Sequence, residues 1–288
     1  MNPTILSLHP TFSCKNNCVG CYLQREKTEK PKTERHWFFF YELIKEAKNI
    51  GIEEVAVAIN NVKDKYGKGS NYDFNYLNLK KRTKDLGMRF TVTTNYEFFV
   101  SPDFESKYSR KWKCDVSGLD LASISINEYV TPTFDRKEEA LQVMKKLKEN
   151  GVQRVNANIL LSEKFVEELL SGLMEKILQT ADTVYLLLNK PTFMNQEQAS
   201  QMILKLEKYM TDERVILDSC FRFANDLTGG ICDKDNTVYI NPYGEMGFCP
   251  YASGEKKFVL SVAKDFEKVY NEACEELRSN SCNHLFQR

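Results

Sequence analysis

The sequence has no surplus of charge of either sign and no long apolar run. Forty basic residues balance forty acidic ones among 288 residues, so no overall charge favours binding to nucleic acid or to an anionic membrane. No apolar run approaches the ~18 residues that a membrane span needs, and the N-terminal residues show no basic leader with a cleavage site. We therefore expect a cytoplasmic protein that has neither a membrane nor a nucleic acid as its partner.

Cysteine, in contrast, is abundant. The chain has nine cysteines, an odd number that fits a disulfide scaffold poorly, and the reducing cytosol disfavours disulfides. Three of them, Cys14, Cys18 and Cys21, lie together after the first apolar run. Thiolates select zinc, copper(I) or iron–sulfur clusters, and three thiolates on a four-iron cluster leave one iron open for catalysis. The alternative is a small zinc site that His9 or a fourth cysteine completes.

Strand and helix signals alternate along most of the chain. Short β-branched runs predict strands that start about thirty residues apart, which is the length of one strand and helix together. These strands are predicted at 5–8, 55–59, 89–94, 121–126, 155–161, 184–188 and 215–218. Helical periodicity lies between them, for example at 37–49 and 138–149, and glycines such as Gly51, Gly87 and Gly151 mark the helix ends. The pattern predicts an α/β protein, either a doubly wound sheet or a barrel.

Polar residues stand on or just after several predicted strands. They are Asn60, Asn95, Ser125, Asn127 and Asn158, and Asn156 shares one face of its strand with Asn158. Buried polar groups need partners, and the active sites of barrels lie at the C-terminal ends of the strands. These residues therefore predict a site for a ligand rich in hydroxyl and amide groups. We expect the polar loop at 62–71 to act as a lid or to contact substrate.

The spacing Cys14-x3-Cys18-x2-Cys21 resembles the signature of the radical S-adenosylmethionine (radical SAM) enzymes. The resemblance implies an open, partial (β/α)6 TIM-like barrel, here over residues 1–218, with a 4Fe–4S cluster on the three cysteines. In that family the cluster binds S-adenosyl-L-methionine and cleaves it reductively to a 5′-deoxyadenosyl radical, which abstracts a hydrogen atom from substrate. The resemblance also implies a reducing partner such as flavodoxin or ferredoxin. Tyr22 and the polar strand-end residues are the implied cofactor contacts.

Two positions depart from the family pattern. The Gly-Gly-Glu motif expected after the second strand is replaced by Ile59-Asn60-Asn61, and Gly20 stands where an aromatic residue is usual. The charged stretch at 26–35, around Pro31, predicts a solvated loop between the cysteines and the first helix.

A second group of cysteines lies near the C-terminus. Predicted strands at 237–240 and 245–248 flank a turn that contains Pro242 and Gly244, and this hairpin brings Cys232 and Cys249 together. The spacing Cys232-x11-Gly244-x4-Cys249 resembles the start of the auxiliary-cluster region called SPASM, or of its short form, twitch. It implies an auxiliary 4Fe–4S cluster within residues 219–288. The implied ligands are Cys220, Cys232 and Cys249, with Cys282 preferred as the fourth over Cys274 in the helix predicted at 264–278. The alternative is a zinc ribbon of Cys232, Cys249, Cys282 and His284.

The remaining cysteine, Cys114, is predicted to be a buried apolar residue. The resemblance implies hydrogen abstraction from a peptide or protein side chain, or oxidation of a small alcohol, sugar or nucleoside. The alternatives are an iron–sulfur electron carrier or redox sensor that does not cleave the cofactor, and a zinc protein without radical chemistry.

Overall fold

The structure is a computed structural model that describes residues 4–11, 18, 34–58, 70–100, 115–188, 196–218, 236–248 and 258–277. In chain order the elements are β1 (Ile5–Leu8), α1 (Trp37–Asn49), β2 (Glu54–Ala58), α2 (Ser70–Asp85), β3 (Arg89–Thr94), β4 (Leu121–Ile126), α3 (Phe134–Glu149), β5 (Arg154–Leu161), α4 (Glu163–Glu168), α5 (Met174–Thr180), β6 (Thr183–Leu188), α6 (Gln196–Lys205), β7 (Val215–Leu217), β8 (Thr237–Ile240), β9 (Glu245–Gly247), β10 (Phe258–Val259) and α7 (Phe266–Leu277). Among the described helices, none combines the length and apolar composition that crossing a membrane requires.

The strands agree with the sequence predictions to within a residue at each end, and the predicted α/β fold class is confirmed. Helix α1 has the predicted bounds because its apolar residues share one buried face and its ends carry local signals. Its buried residues are Phe40, Leu43, Ile44 and Ala47. The Nδ1 atom of His36 accepts a hydrogen bond from the Phe38 backbone N–H at the start, and Gly51 takes a positive φ of 92° just past the end.

Three predicted bounds differ from the observed ones. Helix α3 begins at Phe134 rather than at 138, because the Thr133 side chain caps it by accepting a hydrogen bond from the Arg136 N–H; the exposed Phe134 had hidden this turn from the apolar periodicity. The C-terminal helix begins with a 3-10 turn, Ala263–Asp265, before α7. Helix α2 begins at Ser70, so the last two residues of the predicted lid loop are helical, and residues 62–69 lie outside the described residues.

The described residues divide into two compact units. Unit 1 contains residues 4–11, 34–58, 70–92, 236–248 and 258–277, and unit 2 contains residues 18, 93–100, 115–188 and 196–218. Strand β3 crosses from one unit to the other after Val92. The domain boundary predicted after residue 218 stays a prediction.

Unit 1 joins the beginning and the end of the described chain in one sheet. Its strand order is β10-β9-β8-β1-β2-β3. Strand β1 pairs in parallel with β2 on one edge and with β8 on the other, so Leu8 is the partner of both Val57 and Ile240. Strands β8 and β9 form the predicted antiparallel hairpin, and α1 packs against both α2 and α7.

Unit 2 is a parallel sheet in the order β4-β5-β6-β7. Helix α3 packs on β4 and β5, and α5 packs on β6. Strand residues that alternate along β4 and β5 are completely buried, including Ile124, Ala157 and Ile159. Because successive side chains of a strand point to opposite faces, the residues between them form a second face, which carries the polar side chains described next.

Candidate active site

The second face of the unit 2 sheet is polar, and the strand register places its side chains in two rows. The first row consists of Ser123 in β4, Asn156 in β5 and Thr183 in β6, which are register partners. The second row consists of Ser125, Asn158 and Tyr185, one step closer to the C-terminal ends of the strands. Ser123 and Asn156 are buried, whereas the second row is half-buried. Neighbouring strands of a sheet lie about 4.8 Å apart, so each row can present several polar groups to one ligand.

Three side-chain oxygens of unit 2 are buried without a hydrogen-bond partner in the described part of the chain, one inside β5 and two at the end of β3. They belong to Asn156 (Oδ1), Asn95 (Oδ1) and Thr94 (Oγ1), whose residues are 3%, 6% and 4% exposed. A buried oxygen that no donor satisfies costs about 1 to 3 kcal/mol. Such groups in folded proteins are normally satisfied by protein, water or ligand. The buried amide oxygens of Asn156 and Asn95 can therefore accept hydrogen bonds from a ligand or from water.

Asn95 is held at this position by the residue that follows it. The Tyr96 hydroxyl accepts a hydrogen bond from Arg136 (Nη1) at 2.7 Å and donates one to Glu139 (Oε2) at 2.8 Å, which ties the end of β3 to helix α3. Burial is the main cause that raises the pKa of Tyr96, so the phenol stays protonated and keeps its donor role. Asn95 precedes a 3-10 turn, Tyr96–Phe98, but its side chain does not cap it, and its amide oxygen remains available.

The side chain of Asn127, another predicted cofactor contact, stabilises the turn that follows β4. Its Oδ1 atom accepts hydrogen bonds from the backbone N–H groups of Tyr129 (2.9 Å) and Val130 (3.1 Å). The Thr131 hydroxyl in turn accepts from the Asn127 N–H and donates to its carbonyl oxygen. The amide oxygen of Asn127 therefore shapes the turn after β4, and only its amide nitrogen is left to contact a ligand.

The predicted site residues are thus distributed as follows. The structure brings Ser125 and Asn158 together as register partners in unit 2, and it places Asn95 and Asn127 just past the ends of β3 and β4. Tyr22, Asn60, Cys14, Cys21, Cys220, Cys232, Cys249 and Cys282 lie outside the described residues. Cys18 and Cys274 are half-buried, and no cluster of three or more metal-ligating side chains forms among the residues that are described.

Sequence reasoning did not select Tyr185 or Ser123. The signal was present in both cases, since Thr183 and Tyr185 alternate with buried residues of β6 in the same way that Ser123 and Ser125 alternate in β4. The prediction included Asn156 and Asn158 within β5 but not the residues in β4 and β6 through which the same polar face continues.

The C-terminal hairpin of unit 1 has its own buried polar cluster. Asn241 accepts hydrogen bonds from the Tyr243 and Glu245 N–H groups through Oδ1, both at 3.0 Å, and donates to Glu245 (Oε2) at 2.7 Å. Gly244 in the turn has a φ of 78°, which glycine adopts without steric cost. Beyond the hairpin, the ring of Phe248 contacts Tyr270 of α7. Phe248, which precedes Cys249 in the sequence, therefore packs against α7 at Tyr270, one helical turn before Cys274.

The burial of His9, the residue after β1, predicts that the stability of the protein falls at acidic pH. Its ring contacts Tyr239 edge-on, with centroids 4.8 Å apart, and burial lowers its pKa from the ordinary 6.5 to about 3. Below about pH 6.5 the unfolded chain binds a proton that the folded chain excludes, so stability falls as the pH falls. We expect His9 to cause a loss of about 2 kcal/mol between pH 7 and pH 5. Urea unfolding at the two pH values should show a smaller loss for His9→Gln, and an equal loss would contradict the assignment.

Comparisons with known proteins identify solved structures of the same fold. No family model matches the sequence, and no curated protein matches it. Streptococcus suis SuiB, bound to the precursor peptide SuiA, superimposes with a TM-score of 0.66 at 15% identity over 97% of this chain. The enzyme anSMEcpe with bound AdoMet superimposes with a TM-score of 0.57 at 13% identity, over 93% of this chain and 80% of that one. With AdoMet and the Kp18Cys peptide, anSMEcpe gives a TM-score of 0.55 at 13% identity, over 92% of this chain and 80% of that one.

The chain spans 66% of the length of SuiB in that structure, just under two thirds. SuiB and anSMEcpe are radical SAM enzymes with TIM-like barrels. Identity below 25% relates the folds rather than the activities. The present chain therefore has the α/β fold of the radical SAM enzymes.

Proposed function

We propose that the protein is a radical SAM enzyme. Cys14, Cys18 and Cys21 would hold a 4Fe–4S cluster, and the polar face of unit 2 would bind S-adenosyl-L-methionine. When bound, these groups supply a 5′-deoxyadenosyl radical that abstracts a hydrogen atom from substrate. The observation that supports this most directly is the polar face itself, on a fold shared with enzymes whose solved structures contain this cofactor.

The described residues fit the cofactor's chemistry. S-adenosylmethionine offers hydrogen-bond donors in its amino group, its ribose hydroxyls and its adenine amine. The unsatisfied oxygens of Asn156 and Asn95 are acceptors, and Ser125 and Asn158 can donate as well as accept. The role of the chain is to orient the cofactor and to exclude water from the reacting centre.

The C-terminal cysteines are proposed to hold an auxiliary 4Fe–4S cluster that assists electron transfer. Cys220, Cys232 and Cys249 would be three of its ligands. For the fourth, Cys282 remains a candidate, but the packing of α7 supports Cys274. This residue lies four positions after Tyr270, hence on the same face of the helix, and Tyr270 contacts Phe248.

The proposed substrate is a peptide or protein side chain. Solved structures of similar fold contain the SuiA precursor peptide and the Kp18Cys peptide. The same face also carries aliphatic side chains, because Leu160 and Leu187 are register partners on it and Ile216 is the partner of Tyr185. Leu160 and Leu187 are half-buried and Ile216 is 39% exposed, so a ligand could contact them. A face that combines amide, phenol and aliphatic groups suits both the backbone and the side chain of a peptide. The proposed electron donor is flavodoxin or ferredoxin.

Anaerobic purification and reconstitution test this function. We expect about eight irons per chain with matching sulfide, as two four-iron clusters require, and release of 5′-deoxyadenosine when a reductant and S-adenosylmethionine are added. Bound zinc with little iron would refute the proposal.

A second candidate function is an iron–sulfur electron carrier or redox sensor. The observation that favours it is Ile59-Asn60-Asn61 in place of the Gly-Gly-Glu motif. The same experiment separates the two, because a carrier would contain the iron but would release no 5′-deoxyadenosine.

A further inference from the structure

The segment that carries the three N-terminal cysteines is joined at its base. We call residues 12–33 the cysteine loop; Thr11 is its N-terminal stem, and Glu34 and Arg35 are its C-terminal stem. The Thr11 hydroxyl donates a hydrogen bond to Glu34 (Oε2) at 3.0 Å, and Thr11 is only 6% exposed. The two stems therefore meet through a side-chain contact between residues 23 positions apart.

The N-terminal stem is docked on the C-terminal hairpin through the backbone. Strand β1 pairs with β8 as far as Leu8 and Ile240. The pairing continues with a hydrogen bond from the His9 N–H to the Ile240 carbonyl oxygen at 2.9 Å. The edge-on contact between the His9 and Tyr239 rings covers this junction.

The C-terminal stem is docked on the same hairpin through Arg35. Its backbone N–H donates to the Pro242 carbonyl at 2.7 Å, its Nε donates to the Tyr243 carbonyl at 3.1 Å, and its Nη2 donates to the Leu260 carbonyl at 2.8 Å. The guanidinium also lies over the ring of Phe39 in α1, 5.4 Å from its centroid. One residue thus joins the loop stem, the β8–β9 turn, the residue after β10 and the first helix.

The turn is shaped to admit this side chain. A Cβ atom on Gly244 would stand 3.0 Å from Arg35 (Nε), 3.3 Å from the Leu260 carbonyl oxygen and 3.3 Å from the Phe39 ring. The absence of a side chain at Gly244 therefore leaves the room that the guanidinium occupies. This contact also corrects the expectation that the whole stretch at 26–35 is a solvated loop, because Arg35 is half-buried with its donors engaged.

We propose that Arg35 is a positioning residue for the cysteine loop and that the C-terminal hairpin sets the geometry of the catalytic iron site through it. This proposal rests on the proposed function, since it takes Cys14, Cys18 and Cys21 as cluster ligands. Arg35 joins the C-terminal stem to the hairpin and to Leu260 through three hydrogen bonds, two of them from its side chain, so its replacement would loosen that stem from the hairpin. Because small misplacements at a reacting centre reduce rates strongly, about 100-fold for 1 Å, the docking of the stems should be visible in the chemistry.

The test compares Arg35→Met and Arg35→Lys with wild type in the reconstituted holoenzyme. Arg82→Met is the matched control, because Arg82 also joins two elements of unit 1, through Glu42 and the Tyr41 carbonyl, but lies far in sequence from the cysteine loop. The measurements are iron content, melting temperature, the electron paramagnetic resonance spectrum of the reduced protein with and without S-adenosylmethionine, and the rate of 5′-deoxyadenosine release.

We expect Arg35→Met to retain iron but to release 5′-deoxyadenosine about 10- to 100-fold more slowly, with a spectral response to S-adenosylmethionine that differs from wild type. Arg35→Lys should recover part of the rate, because an ammonium group can donate to the same carbonyls but lacks the planar fork. If Arg35→Met does not fold, Arg35→Gln serves in its place, because it removes the guanidinium but keeps a polar side chain beside the same carbonyls. Rates and spectra of the Arg35 variants equal to those of Arg82→Met would overturn the proposal.

The two proposals fail in different ways. If wild-type protein contains iron but releases no 5′-deoxyadenosine, the proposed function fails. The spectra of the reduced cluster in the Arg35 variants still test whether Arg35 positions it. If wild type is active and the variants are indistinguishable from the control, only the positioning role fails.

Discussion

Replacing Cys14, Cys18 and Cys21 together with alanine should remove about half of the iron and all of the release of 5′-deoxyadenosine. The proposed function requires two four-iron clusters. Only the N-terminal cluster would have an open iron that can bind the cofactor. Without its thiolates that cluster cannot assemble, whereas the C-terminal cysteines are unchanged. Iron and sulfide analysis of anaerobically purified protein gives the first result, and chromatography of the reaction products gives the second.

Cys114→Ala is the control for this variant, because Cys114 belongs to neither cysteine group in the sequence. It should keep both the iron and the activity. Cofactor cleavage that survives the triple replacement would contradict the assignment of the three ligands. A protein that loses zinc rather than iron on the triple replacement would show instead that the loop is a zinc site.

Asn156→Leu is expected to separate stability from cofactor binding. Asn156 is 3% exposed and its Oδ1 atom has no partner among the described residues, so an apolar side chain of similar size removes an unsatisfied group. The metal-free protein should keep its stability or gain about 1 kcal/mol. If the oxygen accepts a hydrogen bond from bound cofactor, the dissociation constant for S-adenosylmethionine should rise about tenfold, since one hydrogen bond contributes about 1 kcal/mol and more when its loss leaves a buried group unpaired.

The same substitution at Asn241 provides the matched control. Asn241 is 2% exposed, but its side chain accepts two backbone hydrogen bonds and donates one to Glu245. Asn241→Leu should therefore lose about 2 to 3 kcal/mol of stability. Urea unfolding and equilibrium dialysis with labelled cofactor measure the two properties. A loss of stability in Asn156→Leu as large as that in Asn241→Leu would mean that Asn156 is satisfied within the protein.

The sequence predicted those parts of the fold that depend on local patterns. β-Branched runs such as Leu121–Ile126 alternate with helices whose buried faces repeat every three or four residues, and glycines with positive φ, such as Gly51 and Gly87, end the helices. The turn at Gly244 was predictable for the same reason, because only glycine adopts that conformation without strain.

The sequence could not predict contacts between distant segments. Nothing in the β-branched run at 237–240 indicates that it pairs with β1, because many strands of this composition could do so with similar energy. Arg35 looked like one charged residue of a solvated stretch, since its carbonyl partners are backbone atoms that carry no sequence signal. The sequence likewise could not predict that the Asn156 amide oxygen lacks a hydrogen-bond partner among the described residues. Whether a buried polar atom finds a partner depends on the geometry around it and not on its residue type.

The parallel pairing of β1 with β8 has a consequence for the order in which the protein is made. Residue 5 pairs with residue 237, and at translation rates of 5 to 20 residues per second the later strand leaves the ribosome roughly 10 to 50 s after the earlier one. During that interval one edge of β1 offers unpaired backbone groups to any other strand nearby. The residues of unit 2 between 93 and 218 have by then already been synthesised. The stems of the cysteine loop reach their docking surface only when the hairpin arrives. If the loop holds the proposed cluster, we expect the cluster to be inserted only after residues 236–248 have left the ribosome, as a late step in the biogenesis of this protein.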